Sequence, residues 1–156
     1  MMPRYAVPGV SVTMPTFDRT AFLKQAVDSV LAQTFDDWEM VLADDGSGDE
    51  TREYLRSIAG PKVRIVWLEH RGNPSSVRNA AIAVARGRCI AFLGSDDTRT
   101  PAKLDEQLAA HRSRPRCHWS YAKCGHTDEQ GRVLESGQRR VFACQEGMIF
   151  AALLKL

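Results

Sequence analysis

The chain has 156 residues, 44% hydrophobic and 26% charged, with a formal net charge of +2. A chain of that length has room for one domain and a sizeable core, burying roughly 70% of the surface its unfolded form exposes, and the composition is that of a soluble globular protein. So balanced a charge argues against nucleic-acid binding through charge alone; the opening MMPRYAVPGV lacks the apolar centre of a signal peptide, and no apolar run of about 18 residues is present to span a membrane.

Residues 9–14 (GVSVTM) form a β-branched run read as a first strand, which Pro15 should stop because it cannot continue a ladder. Phe22, Leu23, Ala26, Val27, Val30 and Leu31 then recur at the spacing of an amphipathic helix. Residues 38–43 (WEMVLA) read as a second strand, ending in DDGSGDE, a turn whose Ser47 or Asp49 should cap the next helix. That helix carries Tyr54, Leu55 and Ile58 and stops at Gly60-Pro61. Residues 62–68 (KVRIVWL) are a third strand and HRGNPSS a loop, with Ser75 or Ser76 capping a helix through Val77, Ala80, Ala81 and Val84 that Gly87 ends. Residues 89–93 (CIAFL) read as a buried fourth strand, in which the Cys89 thiol would behave as a small hydrophobe. Pro101 fits the first turn of a further helix with Leu104, Leu108 and His111 on one face. Residues 119–124 (WSYAKC) are a candidate fifth strand, 126–135 a hairpin and 145–154 an apolar helix.

The four cysteines, Cys89, Cys117, Cys124 and Cys144, form no CxxC pair and no regular framework, which suggests reduced thiols and a cytoplasmic location. Cys117, His118, Cys124 and His126 match no standard zinc spacing. Between residues 111 and 140 the chain is more basic, with Arg112, Arg114, Arg116, Lys123, Arg132, Arg139 and Arg140. Such a segment is either a solvated face or a surface turned toward anionic lipid or an acidic acceptor.

Strands alternating with helices imply βαβ units and a mainly parallel sheet. In such sheets ligands sit outside the carboxyl ends of the strands. Three strand ends carry polar signals: Pro15-Thr16-Phe17-Asp18-Arg19, Asp44-Asp45-Gly46-Ser47 and Gly94-Ser95-Asp96-Asp97. Two carboxylates about 4 Å apart repel by roughly 4 kcal/mol at a surface-like dielectric. A cation between them relieves this, and hard oxygen ligands select Mg²⁺ or Mn²⁺. Asp96-Asp97 thus reads either as a divalent-cation site shared with a diphosphate or as a turn cap. Asp45 is either an Asx-turn residue or a carboxylate aimed at a base or ribose. Arg78 is either an exposed helical arginine or a phosphate contact.

In order and spacing across nearly the whole chain, four stretches resemble the family 2 glycosyltransferases, inverting enzymes of the GT-A type that use nucleotide sugars. VSVTMPTFDR is similar to that family's first strand and loop, and FLKQAVDSVLAQTFDDWEMVLADDGSGD to its first helix and second strand, with its Gln-Thr-Phe and Asp-Asp-Gly-Ser signatures. SSVRNAAIAVARGRCIAFLGSDDTRTP resembles its Arg-Asn helix and metal-binding strand end, and YAKCGHTDEQGRVL its fifth-strand region. The resemblance implies a Rossmann-like α/β GT-A fold in a single nucleotide-sugar-binding domain over residues 1–156, with the α/β core at about 9–124 and a hairpin and helix over 125–156. It places Pro15, Thr16 and Phe17 against the base with Arg19 nearby, and has Asp45 hydrogen-bond the base, usually uracil. Asp96 would contact the ribose, Asp97 would bind Mn²⁺ or Mg²⁺ bridging the phosphates, and Arg78 would help hold the nucleotide.

Two departures from the family pattern bear on these roles. Gly94 stands where many members have the first carboxylate, which moves the metal contact to Asp97; a register with the metal on Asp96 is the alternative. Asp18 stands where Asn is usual. The resemblance implies a UDP-sugar donor and a glycan, lipid or protein acceptor, in a protein that is cytoplasmic or peripheral to the membrane. The family's acceptor region and catalytic base would fall beyond Leu156, so the chain is expected to be the donor-binding half. A non-catalytic nucleotide-sugar-binding module on the same fold is the second reading. The dinucleotide fingerprint G-x-G-x-x-G follows none of the strands.

Overall fold

The computed structural model describes residues 7–122, 124–128, 132 and 134. Strands and helices alternate: β1 (Val10–Thr16), α1 (Thr20–Leu31), β2 (Trp38–Asp44), α2 (Asp49–Ile58), β3 (Val63–Trp67), α3 (Pro74–Val84), β4 (Cys89–Phe92) and α4 (Lys103–Ser113). The four strands form one parallel sheet in the order β3-β2-β1-β4. The expected α/β architecture with a parallel sheet is therefore present.

Period-2 alternation sorts the core onto two faces. Val10, Val12 and Met14 of β1 and Trp38, Met40 and Leu42 of β2 pack with Leu23, Ala26, Val27 and Val30 of α1, Leu55 of α2 and Leu104 of α4. On the opposite face Val41 and Ala43 of β2 meet Val77 and Ala81 of α3. Because both faces are covered, all seven residues of β2 are buried. The chain divides into two compact units, residues 1–114 and 115–156, and these elements all belong to the first.

Several expected boundaries shift for identifiable reasons. Pro15 does not stop β1, which runs on to Thr16. The Thr13 carbonyl accepts from Leu93 on the β4 side and the Thr16 carbonyl from Asp45 on the β2 side. Alternation therefore turns the nitrogen of Pro15 to the β4 side, past the end of β4, where no ladder bond is lost. Helix α3 is capped by neither Ser75 nor Ser76. The Asn73 side chain accepts from both of their amides, with Pro74 opening the helix. Helix α2 starts from Gly48 without a side-chain cap, and Asp49 and Glu50 lie in its first turn, where they oppose the helix dipole.

Strand β4 is not buried. Among the described residues its only strand neighbour is β1, and Cys89, Ile90 and Phe92 are exposed. Residues 119–122 and Cys124 are not in a strand. In the stretch read as a hairpin, the Asp128 amide donates to the Arg132 carbonyl and the Leu134 amide to that of His126, and residues 129–131, 133 and 135 lie outside the described residues. The helix expected over residues 145–154 lies outside the described residues.

At the amino-terminal end of the sheet, the buried Glu39 carboxylate gathers three chain segments. It accepts from Ser11 Oγ at 2.7 Å, from the Arg86 amide at 2.6 Å and from Arg86 Nε and Nη2 at 2.9 and 2.6 Å, with Arg64 Nη2 at 3.3 Å. Gly87 does not end α3, which stops at Val84; it donates instead to Ser11 Oγ, and a Cβ there would stand 2.4 Å from the Ser11 nitrogen. This clamp fixes the entry of β4 beside β1, and so the height at which the β4 loop emerges.

Candidate functional site

The carboxyl ends of β1, β2 and β4 emerge along one edge. Thr16 is in register with Asp44, and Thr13 with Phe92. Beyond the strands the loops bind one another directly. The Asp45 amide donates to the Thr16 carbonyl at 3.0 Å. Asp18 adopts a left-handed backbone (φ 44°), a region that Asp tolerates better than most residues. From there its Oδ1 accepts from the Gly48 amide at 2.7 Å and its amide donates to Ser47 Oγ at 3.0 Å. The buried Asp44 carboxylate accepts from the Ser47 amide, closing the turn.

Asp45 joins β2 to the loop after β3. Its Oδ1 accepts from the Arg71 amide at 3.1 Å and its Oδ2 from the Gly72 amide at 3.0 Å. The His70 ring stacks on Phe17 with centroids 4.1 Å apart and planes inclined by 21°. Asp45 is therefore both an anchor for this loop and a carboxylate with lone pairs to spare. Pro15 and Thr16 lie at the end of β1, where the Thr16 hydroxyl is buried and has no partner among the described residues.

After β4 the chain turns sharply over Gly94. A Cβ there would lie 2.7 Å from Asp97 Oδ2 and 3.0 Å from Asp96 Oδ1, so both carboxylates fold back above the same glycine. Asp96 Oδ2 is bonded to Arg19 Nη1 at 2.5 Å. The Asp97 carboxylate has no hydrogen-bond or ion-pair partner among the described residues. Arg99 braces the loop from behind. Its Nη2 donates to the Phe92 carbonyl at 3.1 Å, and burial holds its pKa below the usual arginine value. Gln33 holds the far end of the same loop, donating to the Thr100 carbonyl at 2.8 Å and accepting from the Leu104 amide at 3.1 Å. That gives the Gln-Thr-Phe signature a physical role.

Of the residues expected at the site, Pro15 and Thr16 end β1, and Phe17, Arg19, Asp45, Asp96 and Asp97 lie on these linked loops. Arg78 stands apart on α3, its guanidinium 6.0 Å from the centre of the Phe92 ring. An open cleft of about 500 Å³ lies between the first turns of α1 and α2. Of the expected residues it is lined only by Arg19, so the cleft and the carboxylate pair are neighbours rather than one site. Among the described residues no three His, Cys, Asp or Glu side chains converge on a metal position. Mg²⁺ and Mn²⁺ need only one or two protein carboxylates when diphosphate oxygens complete the shell, and Asp97 beside Asp96 fits that donor set.

Residues 11–150 match the family described as Glycosyl transferase family 2. The chain belongs to glycosyl transferase family 2. It is 34% identical over 100 residues to the Escherichia coli UDP-Glc:alpha-D-GlcNAc-diphosphoundecaprenol beta-1,3-glucosyltransferase WfgD, covering 64% of this chain and 40% of that protein. It is 39% identical over 102 residues to the Rhizobium meliloti succinoglycan biosynthesis protein ExoO, covering 65% and 29%. Among solved structures it resembles residues 1–349 of Staphylococcus aureus TarS in complex with UDP, with a TM-score of 0.64 and 26% identity over 68% of this chain and 32% of that one. The fold is thus GT-A, and the chain spans less than half the length of the family 2 relatives it matches. No helix among the described residues is long and apolar enough to cross a membrane.

Sequence reasoning missed His70, Arg71, Gly72 and Arg99. The first three follow directly on the third strand. The rule that ligands gather at carboxyl strand ends points there too.

Proposed function

We propose that this chain binds the donor of an inverting glycosyl transfer: a nucleoside-diphosphate sugar, with UDP as the nucleotide, together with Mn²⁺ or Mg²⁺. The observation that carries this reading is the asymmetric pair above Gly94. Asp96 is held by Arg19, while Asp97 presents an unpartnered carboxylate at the ligand edge of a parallel sheet. In this reading Pro15, Thr16 and Phe17 lie against the base with Arg19 close by, and Asp45 hydrogen-bonds the base with the acceptor capacity left by Arg71, Gly72 and His70. Asp96 takes the ribose, Asp97 the metal, and Arg78 helps hold the nucleotide. When bound, the metal supplies Lewis-acid stabilisation of the charge that develops on the departing diphosphate. The chain's own residues orient the nucleotide, and none of those described is assigned as general base.

The choice of uridine is supported by TarS, which is also solved with UDP-GlcNAc, and by the UDP-Glc donor in the name of WfgD. The acceptor is a glycan, lipid or protein. A cytoplasmic setting, peripheral to the membrane, is part of the same reading; the exposed thiols of Cys89, Cys117 and Cys124 accord with its reducing compartment.

Calorimetric titration of UDP, with and without Mn²⁺, tests the proposal. Binding should strengthen with Mn²⁺, and Asp97→Ala should lose the metal-dependent part. Identical heats with and without the metal, or no binding in either case, would overturn it.

A further inference from the structure

His70 is held from three sides, its ring on two and its backbone on one. Its Nδ1 faces two oxygens of Asp45, the main-chain carbonyl at 2.9 Å and Oδ2 at 3.1 Å. Both are acceptors, so Nδ1 carries the proton and donates. Gly46, in a left-handed conformation (φ 78°), passes so close to the His70 backbone that a Cβ there would sit 2.8 Å from its main-chain nitrogen. The third contact is the stack on Phe17. The pair is nonetheless open to solvent: Phe17 is 40% exposed and the His70 side chain 51%. Two clamped aromatic rings, half in solvent, at the ligand edge of a sheet offer a flat π surface whose orientation is set before any ligand arrives.

We propose that His70 is a second ring of the nucleobase platform, backing Phe17 so that a pyrimidine base stacks on the pair. The inference rests on the nucleotide-binding reading above. It adds the β3 loop as a wall of the base subsite and His70 as a residue that sets affinity for the base and not for the phosphates. Phe17 alone is an exposed ring on a loop. Backed by an imidazole that Asp45 holds, it loses its freedom to turn away, and Asp45 then serves the base twice, by its own carboxylate and through the ring it positions. A base laid on the free face of the Phe17 ring would extend the near-parallel stack the two rings already form.

The test uses the full chain with UDP and with pyrophosphate, each with Mn²⁺. His70→Ala should bind UDP about three- to tenfold more weakly and pyrophosphate unchanged. His70→Phe, which keeps the ring, should restore UDP affinity to within about twofold of wild type, whereas His70→Gln, which keeps a donor toward Asp45 but no ring, should resemble His70→Ala. Unchanged UDP affinity in His70→Ala overturns the inference while leaving the nucleotide-binding reading intact. Restoration by Gln and not Phe overturns it in favour of a role through Asp45 alone, and a parallel loss of pyrophosphate affinity overturns it in favour of a displaced loop. A wild-type chain that binds no UDP removes the underlying reading and this inference with it.

Discussion

Arg19 Nη1 lies 2.5 Å from Asp96 Oδ2, joining the loop after β1 to the loop after β4 across 77 residues of sequence. Both side chains are about half exposed, so the pair adds at most about 1 kcal/mol to stability. Its larger effect is on charge, because one guanidinium offsets one of two neighbouring carboxylates.

Replacing that cation separates its two effects. Arg19→Met should bind Mn²⁺ alone about two- to fivefold more tightly and UDP more weakly by a similar factor, since the carboxylates lose a competitor and the diphosphate an attraction. Thermal unfolding should scarcely move. Titrations matching wild type for both ligands would count against Arg19 as part of the site.

Gly94 is the second point of leverage. The atoms a Cβ would strike at this position are the far ends of the Asp96 and Asp97 side chains, which can swing away. Gly94→Ala should therefore leave the melting temperature nearly unchanged and lower Mn²⁺-dependent UDP affinity about tenfold, the loss expected when a carboxylate leaves the metal's small, rigid coordination shell. Melting and calorimetry on the same preparation check both halves, and an alanine variant with wild-type affinity would remove the steric account.

At the other end of the sheet, Glu39→Ala should destabilise the fold by about 1–2 kcal/mol in urea denaturation, because it removes the buried acceptor of the Ser11 hydroxyl and the Arg86 amide, while the Arg86 guanidinium, 41% exposed, is screened by solvent. Burial pushes the Glu39 pKa up, but the hydrogen bonds from Arg86 and Ser11 outweigh it and hold the value below the usual 4.5. A depressed carboxylate contributes stability that is complete above its unfolded value and is lost as pH falls through the folded one. Wild-type stability should thus decline below about pH 4.5. Glu39→Gln should start lower at neutral pH and fall less steeply in acid. An unchanged acid limb would contradict this.

Much of this was legible in the sequence because the informative signals were local. β1 and β2 read as apolar runs since helices cover both of their faces, and of the amphipathic spacing of α1 Leu23, Ala26, Val27 and Val30 are buried while Phe22 and Leu31 at its margins are exposed. The errors came where distant partners decide. CIAFL looks like a core strand, yet its burial depends on which strands flank it, and β4 has β1 alone among the described residues. Ser75 and Ser76 are good caps in isolation, but Asn73 before Pro74 takes the position. The strand-end rule directed attention to Asp45, Asp96 and Asp97, which the structure places on loops at one sheet edge, while the contact of Phe17 with His70 spans 53 positions that no local pattern connects.

Glu39 and Asp45 sit at opposite ends of β2, six residues apart, a separation of about 20 Å along an extended strand. Substitutions that far apart, with no shared partner, usually have additive effects. The chain can therefore be hardened from its clamp end against heat or acid while the proposed nucleotide site is altered at the other, with neither campaign undoing the other.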